Sequence, residues 1–196
     1  GFYADTHFDE KLLEELRIAA LLHDIGKITT PEYIVDKATK LETIHDRIET
    51  VKTRFEVLKR DRQLAVCKGK IIDDDAYGGS GNIESEPSRH ETRNNEQDDE
   101  FLTKLAEDLN LLVTANTGDE FMSEEMIARI KDIAQRTWIY DGQGIPLLTD
   151  NEVYNLTIGR GTLTNEEREI INKHAIVTHK MLSQLPFPKN LRNVPR

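Results

Sequence analysis

The sequence has a single cysteine, Cys67, and no apolar run that approaches the roughly 20 residues of a membrane-spanning helix. One thiol excludes an internal disulfide and is typical of a reducing compartment. The N-terminus also lacks the basic and then apolar pattern of a signal peptide. We therefore expect a soluble, cytoplasmic chain that makes no membrane contact.

Basic residues are in the minority, with 26 Lys and Arg against 36 Asp and Glu and a formal net charge of −10. This balance disfavours non-specific binding to nucleic acid polymers or to an anionic membrane surface. A nucleotide-sized ligand remains compatible if a metal ion and a few local cations offset the negative field. The length of 196 residues allows one core, or one core with an appendage.

Apolar residues recur at helical spacing along much of the chain, and no two segments show the alternation of paired strands. The first predicted helix begins at Asp9, whose carboxylate suits an N-cap, and ends at His23 and Asp24. A short helix should follow, with Thr30 as its N-cap and Pro31 as its first residue, and then a long helix from about Thr43 to about Val66. The later predicted helices are Phe101–Leu112, one that Ser123 caps and that ends near Trp138, a short one that begins at Thr149-Asp150, and one from a capping box at Thr164–Glu167 to about Gln184. The sequence therefore predicts an all-α fold.

Residues 69–99 differ from the rest of the chain in composition. They contain Asp73-Asp74-Asp75 and Gly78-Gly79-Ser80-Gly81 and very few apolar side chains. Such a segment buries too little surface to offset the entropy lost on ordering, so we predict a mobile loop.

Adjacent His23 and Asp24 are the first candidate site residues. An imidazole nitrogen and a carboxylate oxygen form a mixed ligand pair that suits zinc, manganese or iron(II). Lys27 follows His23 by one helical turn, so its ammonium can point at the same region. Gly26 is interpreted as the residue that lets the chain turn. Because many helices end in a His beside an Asp for capping reasons, the pair alone leaves a structural interpretation open.

The segment LLHDIGKI, followed by Pro31 and by Ile34-Val35-Asp36-Lys37, resembles the HD superfamily of metal-dependent phosphohydrolases. Its closest resemblance is to the HD-GYP branch of that superfamily. A second segment, from Gly161 to His174, is similar to the helix that brings in a further metal-binding histidine in that family. The resemblance implies an HD-domain helical bundle.

The resemblance also implies a set of site residues. His23, Asp24 and His174 would bind divalent ions of iron, manganese or zinc, two of them in a complete domain. Asp24 would bridge the ions, and Lys27 would contact the substrate phosphate. A core role for His174 and a surface role for Lys27 are the structural alternatives.

The resemblance divides the chain as well. Ala38–Leu41 and Arg160–Leu163 both resemble the short link that ordinarily joins the two family motifs. Residues 42–148 would thus be an inserted helical region, with 1–41 and 149–196 as the two parts of the HD domain. The near-heptad spacing within Thr43–Val66 suits pairing with another helix, and a homodimer through the inserted helices is expected on this basis.

The chain departs from the family pattern in its last part. The paired histidines, the glutamate and the Gly-Tyr-Pro segment of the branch are missing, and Asp141–Pro146 matches that segment only superficially, so we interpret it as a turn. We expect a fragment with little or no activity, from a parent phosphodiesterase that hydrolyses the bacterial second messenger cyclic di-GMP. A catalytically silent HD scaffold with a regulatory or dimerisation role, and an HD phosphohydrolase acting on another nucleotide, are the alternatives.

Overall fold

The computed structural model of the chain describes residues 9–67 and 91–195, with the backbone alone for 91–97. The predicted all-α fold is confirmed, with one small sheet as an addition. The helices in the described ranges are α1 Glu10–Leu22, α2 Glu32–Val35, α3 Ile48–Cys67, α4 Glu91–Thr117, α5 Glu124–Gln135, α6 Asp150–Leu156, α7 Asn165–Asn172 and α8 His174–Ser183, with 3₁₀ helices at Ile25–Thr29 and Lys189–Leu191. None of the helices found there is long and apolar enough to cross a membrane.

The chain divides into two compact units. Unit 1 consists of Gly1–Asp36 and Thr164–Arg196, and unit 2 is the continuous segment Lys37–Leu163. Unit 2 therefore interrupts unit 1 in the sequence. The predicted insertion of 42–148 would do the same, and the limits of unit 2 are somewhat wider than those of that insertion. That 42–148 is an insertion into an HD domain stays a prediction.

The core of unit 2 lies between α3 and α4. Val51, Phe55 and Leu58 on α3 are buried in one cluster with Leu105 and Leu112 on α4. Full burial of such side chains contributes about 1.5–3 kcal/mol each. The near-heptad positions of α3 are thus used inside this chain, and pairing with a second copy stays a prediction.

Both long helices differ from their predicted limits. Helix α3 begins at Ile48 and not near Thr43, because the Asp46 carboxylate accepts the Ile48 N–H at 2.9 Å. Helix α4 begins at Glu91, so the prediction of a loop through residue 99 is wrong for 91–99. The Asp98 carboxylate binds Arg62 at 2.6 Å, and this cross-helix pair helps to extend α4 beyond its apolar stripe. Residues 69–90 of the predicted loop lie outside the described residues.

The sheet is an antiparallel hairpin that the sequence analysis missed. Its strands are β1 Thr137–Tyr140 and β2 Gln143–Pro146. Asp141 and Gly142 connect them with φ values of 51° and 73°, as in the two-residue turns that suit the twist of hairpin strands. The predicted turn over 141–146 is therefore confined to its first two residues.

Two buried polar clusters hold unit 2 together. Asp108 on α4 is almost fully buried and binds Arg129 at 2.9 Å and Arg136 at 2.5 Å. Lys40 is fully buried and donates to the carbonyls of Leu156 and Ile158 at 3.1 and 2.9 Å. The Lys40 ammonium thereby joins the first residues of unit 2 to the end of α6.

The Thr162 hydroxyl donates to the Lys37 carbonyl at 3.2 Å, which connects the two ends of unit 2 directly. Lys37 is itself buried, and its ammonium donates to the Asn155 side-chain oxygen at 3.3 Å. These contacts, with those of Lys40, form the end clamp of unit 2.

Unit 1 is built from α1, α2, α7 and α8. Asp9 caps α1 by accepting the Leu12 N–H at 2.8 Å, as predicted. The predicted capping box at Thr164 and Glu167 is confirmed at the start of α7. The sequence predicts one helix after this capping box, but the structure divides that helix at Lys173 into α7 and α8. The Lys173 N–H is shared between the carbonyls of Glu169 and Ile170, and His174 is the first residue of α8.

The short helix α2 also begins later than predicted. Pro31 and not Thr30 is its N-cap, and no side chain accepts a capping hydrogen bond there. The helix covers four residues only.

Candidate metal centre

The predicted site residues of unit 1 converge on one carboxylate. His23 is the C-cap of α1, and Asp24 directly precedes the first 3₁₀ helix. The Asp24 Oδ2 atom lies 3.1 Å from His23 Nε2 and 2.7 Å from Lys27 Nζ. The Asp24 Oδ1 atom lies 3.3 Å from His174 Nε2. All four predicted residues are therefore side by side, although His174 is far from the others in sequence.

Backbone carbonyls fix the orientation of both imidazoles. His23 Nδ1 is 2.7 Å from the Ala20 carbonyl, and His174 Nδ1 contacts the Ile171 carbonyl. Because a carbonyl only accepts, each Nδ1 carries a proton, and each Nε2 faces the Asp24 carboxylate. Metal-binding histidines in proteins have this arrangement, in which the distal nitrogen donates to a carbonyl or a carboxylate.

The surroundings of Asp24 keep it ionised. The hydrogen bond from Lys27 is the largest cause that lowers the pKa of Asp24 below its ordinary value, and partial desolvation opposes it. The charges of His23, Lys27 and His174 lower the pKa further. The carboxylate is thus available as an anionic ligand without losing a proton first.

The donor atoms suit a divalent ion in chemistry and in spacing. Nitrogen and oxygen ligands lie about 2.0–2.2 Å from zinc, so two that share one tetrahedral ion are about 3.3–3.6 Å apart. The 3.3 Å separation between Asp24 Oδ1 and His174 Nε2 lies in this range, and the 3.1 Å separation between Asp24 Oδ2 and His23 Nε2 is slightly shorter. Each carboxylate oxygen of Asp24 has one imidazole nitrogen beside it.

The ligand shell is nevertheless incomplete within the described residues. No group of three or more His, Cys, Asp or Glu side chains there is placed to hold a metal ion. The two imidazoles face different oxygens of Asp24, and Lys27 already binds Oδ2. Each oxygen therefore has one imidazole beside it, where a stable centre needs further donors.

Gly26 and Thr178 contribute to the site, and the sequence analysis did not identify either role. A Cβ atom on Gly26 would lie 2.2 Å from the His174 carbonyl oxygen and 2.6 Å from Thr178 Oγ1. The glycine is therefore required for close packing on α8, and not for a turn as predicted. The Gly26 N–H donates to Thr178 Oγ1 at 2.9 Å. The position of Thr178, four residues after His174, was the only local signal of its proximity.

Two of the remaining histidines lie among the described residues. His45 and His179 are both exposed. His7 and His90 lie outside the described residues.

The chain was compared with known families and proteins. Two family models, each described as an HD domain, match residues 3–132 and 148–196. Comparison with curated proteins and with solved structures gives no significant match. The first match contains His23, Asp24 and Lys27, and the second contains His174 and Thr178. The chain thus belongs to the HD domain family, whose members are generally metal-dependent phosphohydrolases.

Proposed function

We propose that this chain carries the metal-binding half of a phosphodiesterase that hydrolyses cyclic di-GMP. The observation that carries the proposal is the convergence of His23, His174 and Lys27 on the Asp24 carboxylate. The resemblance of LHDIGK and the following Pro31 to the HD-GYP branch supports the substrate. The net charge of −10 favours a small ligand over a nucleic acid polymer.

The proposed roles follow from the contacts. Asp24, His23 and His174 would hold divalent iron, manganese or zinc. When bound, such an ion polarises phosphoryl oxygens and activates water for attack on phosphorus. Lys27 is partly exposed, so its ammonium can turn from Asp24 toward a substrate phosphate and offset the charge that develops there.

The substrate reaches the site from the side of His23. The side chain of His23 is 68% exposed, whereas that of His174 is only 21% exposed. A phosphodiester would therefore approach past His23, while His174 stays less exposed at the start of α8. Because only three metal ligands are assigned, we propose that these 196 residues alone have weak activity or none.

The test replaces the ligands one at a time in this chain and in the full-length natural protein. Asp24→Ala and His23→Ala should each lower zinc or manganese affinity at least about tenfold, and they should abolish hydrolysis of cyclic di-GMP by the full-length protein. Lys27→Ala should retain the metal and lose turnover. Asp9→Ala, which removes the cap of α1 and no ligand, is the matched control. Unchanged metal content and hydrolysis in Asp24→Ala would contradict the proposal.

A second candidate is a catalytically silent HD scaffold with a regulatory role. The incomplete ligand shell and the Lys27–Asp24 ion pair favour it, because an ammonium already occupies a ligand oxygen. Metal analysis of the full-length natural protein separates the two candidates. Stoichiometric metal that is lost on His23→Ala supports the enzyme, and an empty site in the purified protein supports the scaffold.

A further inference from the structure

The contact between the first 3₁₀ helix and α8 contains a buried hydrogen bond outside the ligand set. Gly26 and Thr178 are both buried, and the Gly26 N–H donates to Thr178 Oγ1 at 2.9 Å. This N–H belongs to the first turn of its helix, where donors have no partner within the helix. The Thr178 hydroxyl supplies the partner across 152 residues of sequence.

The same two elements carry the Asp24–His174 contact. Asp24 precedes Gly26 by two residues, and His174 precedes Thr178 by one turn on the same face of α8. Two contacts one turn apart fix both the separation of the elements and the rotation of α8 about its axis. Since His174 begins its helix, its ring position depends on how α8 is placed.

We propose that Thr178 is a positioning residue that holds His174 Nε2 against Asp24 for metal binding. The inference rests on the proposed function, because it takes His174 and Asp24 as ligands. Without the hydroxyl, the buried Gly26 N–H has no acceptor, and the helices move apart or rotate to let water reach it. Glycine at position 26 makes the contact possible, and Thr178 sets its geometry.

Two substitutions separate the hydroxyl from the rest of the side chain. Thr178→Val keeps the shape and removes the acceptor, whereas Thr178→Ser keeps the acceptor. Titration with zinc ions should show about tenfold weaker binding for Thr178→Val, and Thr178→Ser should bind like the unmodified chain. Asp9→Ala is the control for stability alone, since it weakens the α1 cap in the same unit. It should lower the unfolding temperature and leave zinc affinity unchanged.

The metal-free protein gives a second readout by NMR. In the unmodified chain and in Thr178→Ser, the Gly26 amide should show a hydrogen-bonded shift and the His174 ring should be near the Asp24 β protons. Both signals should be lost in Thr178→Val and retained in Asp9→Ala.

The outcomes distinguish this inference from the proposed function. The positioning role is overturned if Thr178→Val keeps both its zinc affinity and the contact between the His174 ring and the Asp24 β protons. It is also overturned if Asp9→Ala loses as much zinc affinity as Thr178→Val. Zinc binding that survives His23→Ala and Asp24→Ala overturns the metal site. In that case the NMR contacts still decide whether Thr178 places His174.

Discussion

Replacing Gly26 by alanine should open the contact on which the candidate metal centre depends. The new Cβ would lie 2.2 Å from the His174 carbonyl oxygen and 2.7 Å from the Thr178 backbone nitrogen. Both are backbone atoms, so no side-chain rotation relieves the overlap. Restoring contact distances of about 3.4 Å requires the first 3₁₀ helix and α8 to separate by roughly 1 Å. Because Asp24 moves with its helix, its 3.3 Å separation from His174 would exceed the hydrogen-bond range.

The expected cost combines two effects. Overpacking of this kind costs about 1–3 kcal/mol, and loss of the buried Gly26–Thr178 hydrogen bond adds about 1 kcal/mol. Unit 1 should therefore lose roughly 2–4 kcal/mol of unfolding free energy. Zinc affinity should fall with it, since the two imidazoles would no longer face one carboxylate.

Hydrogen exchange is the suitable assay because it resolves segments. The only tryptophan, Trp138, lies in unit 2, so its fluorescence does not report on unit 1. Exchange should accelerate in 24–30 and 174–183 and stay unchanged in α3 and α4. Gly159→Ala is the matched control, because a Cβ there meets no atom within 4 Å. Wild-type protection and wild-type zinc affinity in Gly26→Ala would refute the reasoning.

Two further predictions concern unit 2. Burial lowers the pKa of Lys40 to about 8 from 10.5, so between these pH values the unfolded chain binds the proton and the folded chain does not. The unfolding free energy of the wild type, relative to that of Lys40→Met, should therefore rise by about 3 kcal/mol from pH 8 to pH 10.5. Urea titrations measure both free energies, and a difference between the two proteins that does not change with pH would contradict this. Asp108→Asn leaves two arginines without their carboxylate and should cost about 3 kcal/mol in urea unfolding followed by Trp138 fluorescence. Glu107→Gln, at an exposed contact to Arg129, should cost under about 1 kcal/mol, and equal losses for both variants would argue against a special role of the buried cluster.

Local signals in the sequence predicted much of the fold. Asp9, Ser123 and Thr164 cap their helices as predicted, because a cap depends on residues within one turn. The end of α1 at His23 followed from the apolar spacing before it. The all-α class followed from the same periodicity.

The features that the sequence analysis missed depend on contacts between distant residues or on very short elements. Each strand of the hairpin has four residues, which is too few for a clear alternation, although Asp141-Gly142 was a usable turn signal. The extension of α4 to Glu91 has few apolar residues to indicate it.

The residues of the candidate site were predicted from the sequence, but the contact that holds them in place was not. The motif and the resemblance singled out His23, Asp24, Lys27 and His174, which lie together in the structure, while their roles as ligands stay predictions. The Gly26–Thr178 hydrogen bond spans 152 residues, so no local pattern indicates it.

The end clamp of unit 2 sets an order of folding. Once unit 2 has formed, residues 37 and 162 are within hydrogen-bond distance, and the two segments of unit 1 are connected as if by a short loop. Closing a flexible chain as long as Lys37–Leu163 would cost roughly 4 kcal/mol in entropy, and a folded unit 2 removes that cost. We therefore expect unit 1 to assemble after unit 2. A mutation that unfolds the Asp108 cluster should then abolish metal binding as well, although it touches no residue of the centre.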